Sequence, residues 1–394
     1  MRLDLIQVLR AVAAYLVVFF HLHELERSGI EMAGGQEAGL IGGAFKNGWL
    51  GVDLFFVISG FIMVYVTHSR APGLSTIKDF LLARVFRIYP VWWLFMGLMA
   101  AYYFFAHGAP FDAAIVERMG NNETTHIISS ILLIPQLNFP ILSVGWTLVH
   151  EVWFYIVFSL LLLLPRKFLW VGLLGWAIMV AAGSLAGFSS HHATDYLKLA
   201  TSPLTLEFIA GAAMALAFVN GIRAYAALAS GLGAAGLALI LAFHPIHSPF
   251  TLEWGRVLVA TLPCALLVYA AACSSERVKG PVYAVLRALG DWSFSLYLCH
   301  IMAMAAVRII LPIVANQGEA VLGLPTGSLD VFRLGTPGIL DNIVFIFTAL
   351  IAATCVAGLS FHLFERPVLK FLNARFRKRQ PDKEKARLAE TTAP

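Results

Sequence analysis

Arg10-Ala-Val-Ala-Ala-Tyr-Leu-Val-Val-Phe-Phe-His21 sets a guanidinium and an imidazole at the two ends of ten residues that are apolar apart from the Tyr15 hydroxyl. In a helix, eleven positions make about three turns, so both side chains share a face roughly 16 Å apart along the axis. In a bilayer that distance is about half the hydrocarbon thickness. An ionisable group at such depth is costly and marks a functional candidate. The bland alternative is a snorkelling arginine with a histidine at the far interface.

The rest of the chain agrees with a membrane setting. Of 394 residues, 59% are hydrophobic and 13% charged, and the mean hydropathy is +0.78. That excludes an ordinary soluble surface and predicts an all-α, polytopic membrane protein. The first helix lacks a small-residue cleavage site and carries the Arg–His pair, so it reads as a retained helix. Cys264, Cys273, Cys299 and Cys355 stand singly in apolar runs, without zinc or disulfide spacing.

Hydropathy predicts ten spans, near 5–23, 48–67, 86–106, 146–164, 169–187, 203–219, 225–243, 256–273, 292–314 and 340–363. An eleventh run, near 127–137, ends at Pro135 and is too short to cross, as a re-entrant or interfacial segment would be. With the N-terminus inside, 20 of the 28 Lys and Arg fall on the inner side. The basic-residue rule therefore predicts two cytoplasmic termini. It also accounts for the net charge of +5 without a nucleic-acid partner. Residues 1–374 form the membrane domain in this reading, and 375–394 a charged, disordered tail.

Orientation assigns depth. His21, Asp53 and Glu151 are expected in one outer layer, with Thr147, Glu151 and Tyr155 on one helix face at spacings of four. An inner layer is expected from Arg10, from Arg84 and Arg87 with Tyr89 and Pro90 after them, and from Ser293, Tyr297 and His300. Pro90 fits the first turn of its helix. A basic, donor-rich inner layer suits an anionic ligand arriving from the cytoplasm.

Six stretches, in order, resemble the membrane acyltransferase-3 family and its exopolysaccharide O-acetyltransferase branch. They are Arg10 with His21, Gly51-Val-Asp-Leu-Phe-Phe-Val-Ile-Ser-Gly-Phe61, Arg84-x-x-Arg87-Ile-Tyr-Pro90, Trp146-Thr-Leu-x-x-Glu151-x-x-Phe-Tyr155, Ser295-Leu-Tyr-Leu-x-His300 and Phe364-Glu-Arg-Pro367. The resemblance implies transfer of an acyl group, usually acetyl, from cytoplasmic acetyl-coenzyme A to a hydroxyl of a cell-surface carbohydrate. The setting it implies is the bacterial inner membrane. Some relatives carry a C-terminal extracytoplasmic domain; the chain runs only about thirty residues past the tenth span, so none is expected.

With that resemblance, His21 is the expected general base. Glu151 or Asp53 would orient it, as a carboxylate does in a triad. Arg84 and Arg87, with Tyr89, would hold the coenzyme A phosphates, against the plainer role of positive-inside anchors. Arg10 would meet the pantetheine arm or pair with a carboxylate. Tyr297 and His300 would line the donor tunnel, and Trp146, Thr147 and Tyr155 the acceptor side. No metal is expected. His23 and His150 point elsewhere round their helices. Glu207 with Arg308 reads as a structural pair or an acceptor contact, and Glu365 with Arg366 as a helix-end bridge. No Ser or Cys adjoins His21 in sequence, which favours direct transfer over an acyl-enzyme. The rival is a proton-coupled exporter of a saccharide or small anion, relaying through His21, Asp53 and Glu151. The absence of an internal repeat and the cationic pair at the inner mouth count against it.

Overall fold

A computed structural model describes residues 3–35, 39–41, 43–190, 193–243, 253–274, 280–336 and 339–376. Arg277, Lys279 and all of the expected tail beyond residue 376 lie outside the described residues. Among the described residues the chain is helical, without strands. Ten helical segments are long and apolar enough to cross a bilayer, each overlapping one expected span.

The helices are α1 (Asp4–Met32), α2 (Leu50–Thr67), α3 (Leu74–His107), α4 (Ala113–Arg118), α5 (Glu123–Leu132), α6 (Trp146–Leu161), α7 (Leu169–Leu185) and α8 (Tyr196–Ala200). They continue as α9 (Thr205–Val219), α10 (Ala226–Phe243), α11 (Glu253–Ser274), α12 (Pro281–Asp291), α13 (Ser293–Leu322), α14 (Leu340–Ser360) and α15 (Arg366–Phe376). A π-helical turn, Phe361–Glu365, joins the last two.

Burial identifies the centre of the bundle. α2 hides 72% of its apolar window, whereas α10 hides 22%. α1, α9 and α11 pack round α2. Glycines set the closest approach: a Cβ on Gly60 would strike the Phe208 carbonyl oxygen, and one on Gly211 the Val57 carbonyl oxygen. Small residues at such crossings let two backbones meet, and dispersion then holds them in lipid. The outer shell is apolar, with Leu98, Phe104, Phe105, Trp170, Leu174 and Leu239 exposed. The polar groups are inside, among them Asp53, Glu207, Arg256, Ser293 and His300. That inversion is what a lipid solvent requires.

One local expectation is corrected. Pro90 is interior to α3, which begins at Leu74 instead of near residue 86. The stretch from Leu74 carries Lys78, Asp79 and Arg84, so hydropathy reads it as loop although it continues the same helix. The short run near 127–137 forms α5, capped by the Asn122 side chain accepting from the Thr125 N–H. Its last carbonyls are met from α3: Trp92 Nε1 donates to Ser130, Trp93 Nε1 to Ile131 and the Tyr89 hydroxyl to Leu132. Orphan carbonyls at a helix end are thereby satisfied.

Candidate active site

Two cavities lie in the bundle and share Val52 and Tyr297 as a common wall. The larger, about 300 Å³, is lined among others by Gln7, Arg10, Ser59, Arg84, Arg87, Glu151 and Tyr155. The smaller, about 190 Å³, is lined by His21, Trp49, Phe139, Trp146 and Arg256. The Tyr297 hydroxyl sits 2.8 Å from the Thr147 hydroxyl and 3.2 Å from the Val144 carbonyl oxygen. These bonds fix the phenol between the chambers.

Helix register explains the division. Arg10 and His21, three turns apart on α1, fall in different cavities. On α6, Trp146 lines the smaller cavity, while Glu151 and Tyr155 line the larger. Thr147 and Tyr155 share a face but stand about 12 Å apart along the axis.

The arginine cavity is tightly bonded. Arg10 donates to Gln7 Oε1 at 3.0 Å. The Arg84 guanidinium lies 5.7 Å from the ring centroids of both Phe80 and Tyr155, within cation–π range. Glu151 accepts from Ser59 Oγ at 2.7 Å and from the Tyr155 hydroxyl. In the other cavity, the His21 ring stands 5.1 Å from the His300 ring. His300 is buried and turns Nδ1 to the Leu296 carbonyl oxygen at 3.2 Å.

Several expected placements change. Glu151 lies with the arginines instead of with His21, because it stands about one turn further along α6 than Thr147 at the wall. Tyr155, one turn beyond Glu151, is likewise in the arginine cavity and off the acceptor side. Asp53 is engaged by Arg256, with Nε to Oδ1 and Nη2 to Oδ2 both at 2.8 Å. Neither carboxylate hydrogen-bonds His21 among the described residues. Tyr89 stands apart from the arginine cavity, since it sits two residues from Arg87, about 200° round the helix, and bonds Leu132. His300 backs His21 and does not line the arginine cavity. Glu207 lies beside Asp53, whereas Arg308 bonds Ser28. Glu365 accepts from Ser295 Oγ at 2.7 Å in place of a bridge to Arg366.

The sequence reading missed Ser59, Gln7, Trp49 and the role of Arg256. Ser59 had a signal, a hydroxyl within the Asp53 stretch. Arg256 had a weaker one, a lone cation opening an apolar span.

The sequence is similar to proteins already described. Over 342 residues, 84% of this chain and 92% of the other, the sequence is 30% identical to the exopolysaccharide production protein ExoZ of Rhizobium meliloti (strain 1021). It is 26% identical over 358 residues to the acyltransferase MdmB of Streptomyces mycarofaciens, covering 83% of this chain and 82% of that one. No solved structure gives a significant match. Residues 3–362, which hold every residue of both cavities, match the acyltransferase domain of the acyltransferase-3 family, and the chain belongs to that family.

Proposed function

We propose that this membrane acyltransferase moves an acetyl group from acetyl-coenzyme A, bound in the arginine cavity, to a carbohydrate hydroxyl held in the His21 cavity. The observation that carries this is the pair of chambers, one lined by guanidinium groups and one by an imidazole, meeting at Val52 and Tyr297. Guanidinium forks match phosphate oxygens, so Arg84 and Arg87 take the phosphates and Arg10 the pantetheine side of the donor. The thioester then lies at the wall. His21 takes the proton of the acceptor hydroxyl, whose oxygen attacks the thioester carbonyl carbon. The C–S bond breaks, the ester forms, and the departing thiolate takes the proton back from His21. The Tyr297 hydroxyl, at the wall, is placed to donate to the oxygen that becomes negative in between. His300 packs behind His21 and fixes its ring. With Glu151 bonded to Ser59 and Tyr155, its task is to shape the donor cavity.

For the acceptor class, an exopolysaccharide, the support is the similarity to the exopolysaccharide production protein ExoZ. The setting is the bacterial cytoplasmic membrane, with the arginine cavity open to the cytoplasm. A proton-coupled transporter would need His21, Asp53 and Glu151 in one relay, and here each turns to different partners.

The test is His21→Ala in the purified full chain. Acetyl-coenzyme A should bind as before, while transfer falls by about 10²- to 10⁴-fold, the usual contribution of a general base. Undiminished acceptor modification at equal protein level would remove His21 from the chemistry.

A further inference from the structure

Arg256 is the polar group of the smaller cavity to which acyl transfer gives no task. It is 2% exposed and grips both oxygens of Asp53. That grip holds the guanidinium plane at the cavity wall, 4.8 Å from the Trp49 ring centroid and 5.9 Å from that of Trp146. Behind Asp53 stands Glu207, fully buried. A merely structural ion pair needs neither a second carboxylate nor two indoles at an open cavity.

The volume limits the occupant. At about 190 Å³ the chamber is smaller than the roughly 300–1,000 Å³ of sites for drug-sized ligands. It takes one ring, not a length of polymer. Indole faces cover the C–H faces of a pyranose, and the polar groups of the wall meet its hydroxyl edge. The charge limits the occupant further. Two carboxylates face one guanidinium, so the site has no spare positive charge for an anionic sugar, and a buried unmatched charge is strongly disfavoured.

Building on the acyl-transfer reading, we infer that Arg256, Trp49 and Trp146 form the acceptor subsite and select a single neutral pyranose ring over a uronate. Asp53 and Glu207 are positioning residues: they act on the acceptor through Arg256.

The experiment uses the full chain in proteoliposomes, labelled acetyl-coenzyme A, and two acceptors, methyl β-glucopyranoside and methyl β-glucuronopyranoside. The neutral glycoside should be acetylated with a kcat/KM at least about tenfold above that of the uronate, as one unmatched buried charge implies. Arg256→Lys should raise the acceptor KM about tenfold, because the ammonium lacks the fork, with acetyl-coenzyme A affinity unchanged. Trp49→Leu should raise the same KM about three- to tenfold through lost ring packing, and it keeps the test open if Arg256→Lys does not fold. Glu207→Ala should raise the acceptor KM while acetyl-coenzyme A affinity is unchanged, and Glu207→Gln, which keeps the buried contact to Asp53, should restore it, a split that a purely structural acid would not give. Equal use of both glycosides overturns the inference, as does an unchanged acceptor KM in Trp49→Leu. So does failure to acetylate either glycoside while the natural polysaccharide is still acetylated. A wild-type chain that does not bind acetyl-coenzyme A would instead remove the transfer reading, and the subsite with it.

Discussion

Arg84 is held in an unusual way for a cation. Its Nε is buried without a hydrogen-bond partner, and it makes no salt bridge among the described residues. The Phe80 and Tyr155 rings flank it, and the Tyr155 hydroxyl bonds it. A buried charge left in that state favours an anionic ligand. Replacing Arg84 and Arg87 together by Ala should weaken coenzyme A binding. Each guanidinium–phosphate contact contributes on the order of 1.5–3 kcal/mol, or about ten- to a hundredfold in affinity. Lysine at both positions should recover only part of it. Calorimetric titration of the double variant reads this directly, and unchanged affinity would return both residues to membrane anchoring. At this scale the sequence named candidate residues and said little about their partners. Arg10, His21, Arg84 and Arg87 stand out because a charge in an apolar helix has few innocent explanations. Glu151 was placed with His21 because spacing gives a shared face and not the cavity it opens on; Thr147, Glu151 and Tyr155 all line the arginine cavity. Asp53 was misplaced because its partner, Arg256, is 203 residues away in sequence.

At the scale of elements, the α2–α9 crossing carries the site. It brings Asp53 of α2 beside Glu207 of α9, while Ser59, next to Gly60, donates to Glu151 of α6. Gly60→Ala should force the two helices apart, at a cost of about 1–3 kcal/mol for overpacking. A lower thermal transition in detergent would show it. Gly97→Ala, which meets nothing within 4 Å, should leave the transition unchanged or slightly raised, since alanine favours helix over glycine. Equal behaviour of the two variants would deny the crossing its role. The spans were legible because length and hydropathy suffice for them. The start of α3 was not, because charged residues on an amphipathic turn lower its hydropathy without ending its hydrogen bonds. Nor was the closeness of α2 to α9, since a glycine in sequence does not name the backbone it admits.

For the whole molecule, ten crossings by the ten candidate spans among the described residues would return the chain to the side on which it began. Tags at Met1 and Pro394 should report the same, cytoplasmic side, and a tag after Gly323 the opposite one. Opposite reports from the two ends would mean that one of the ten helices does not cross. The fold class and span count were readable because the bilayer reduces the problem to one dimension. The two-chamber plan was not, because it depends on how helices sit side by side. That plan has an electrical consequence. A hydrated bore through the bundle would discharge the membrane, since each elementary charge crossing 100 mV dissipates about 2.3 kcal/mol. Val52 and the bonded Tyr297–Thr147 pair stand between the chambers. On the proposed chemistry each turnover exchanges an acyl group for the acceptor's hydroxyl proton at that point, so no net charge crosses. The wall thus acts as an airlock, passing cargo without current.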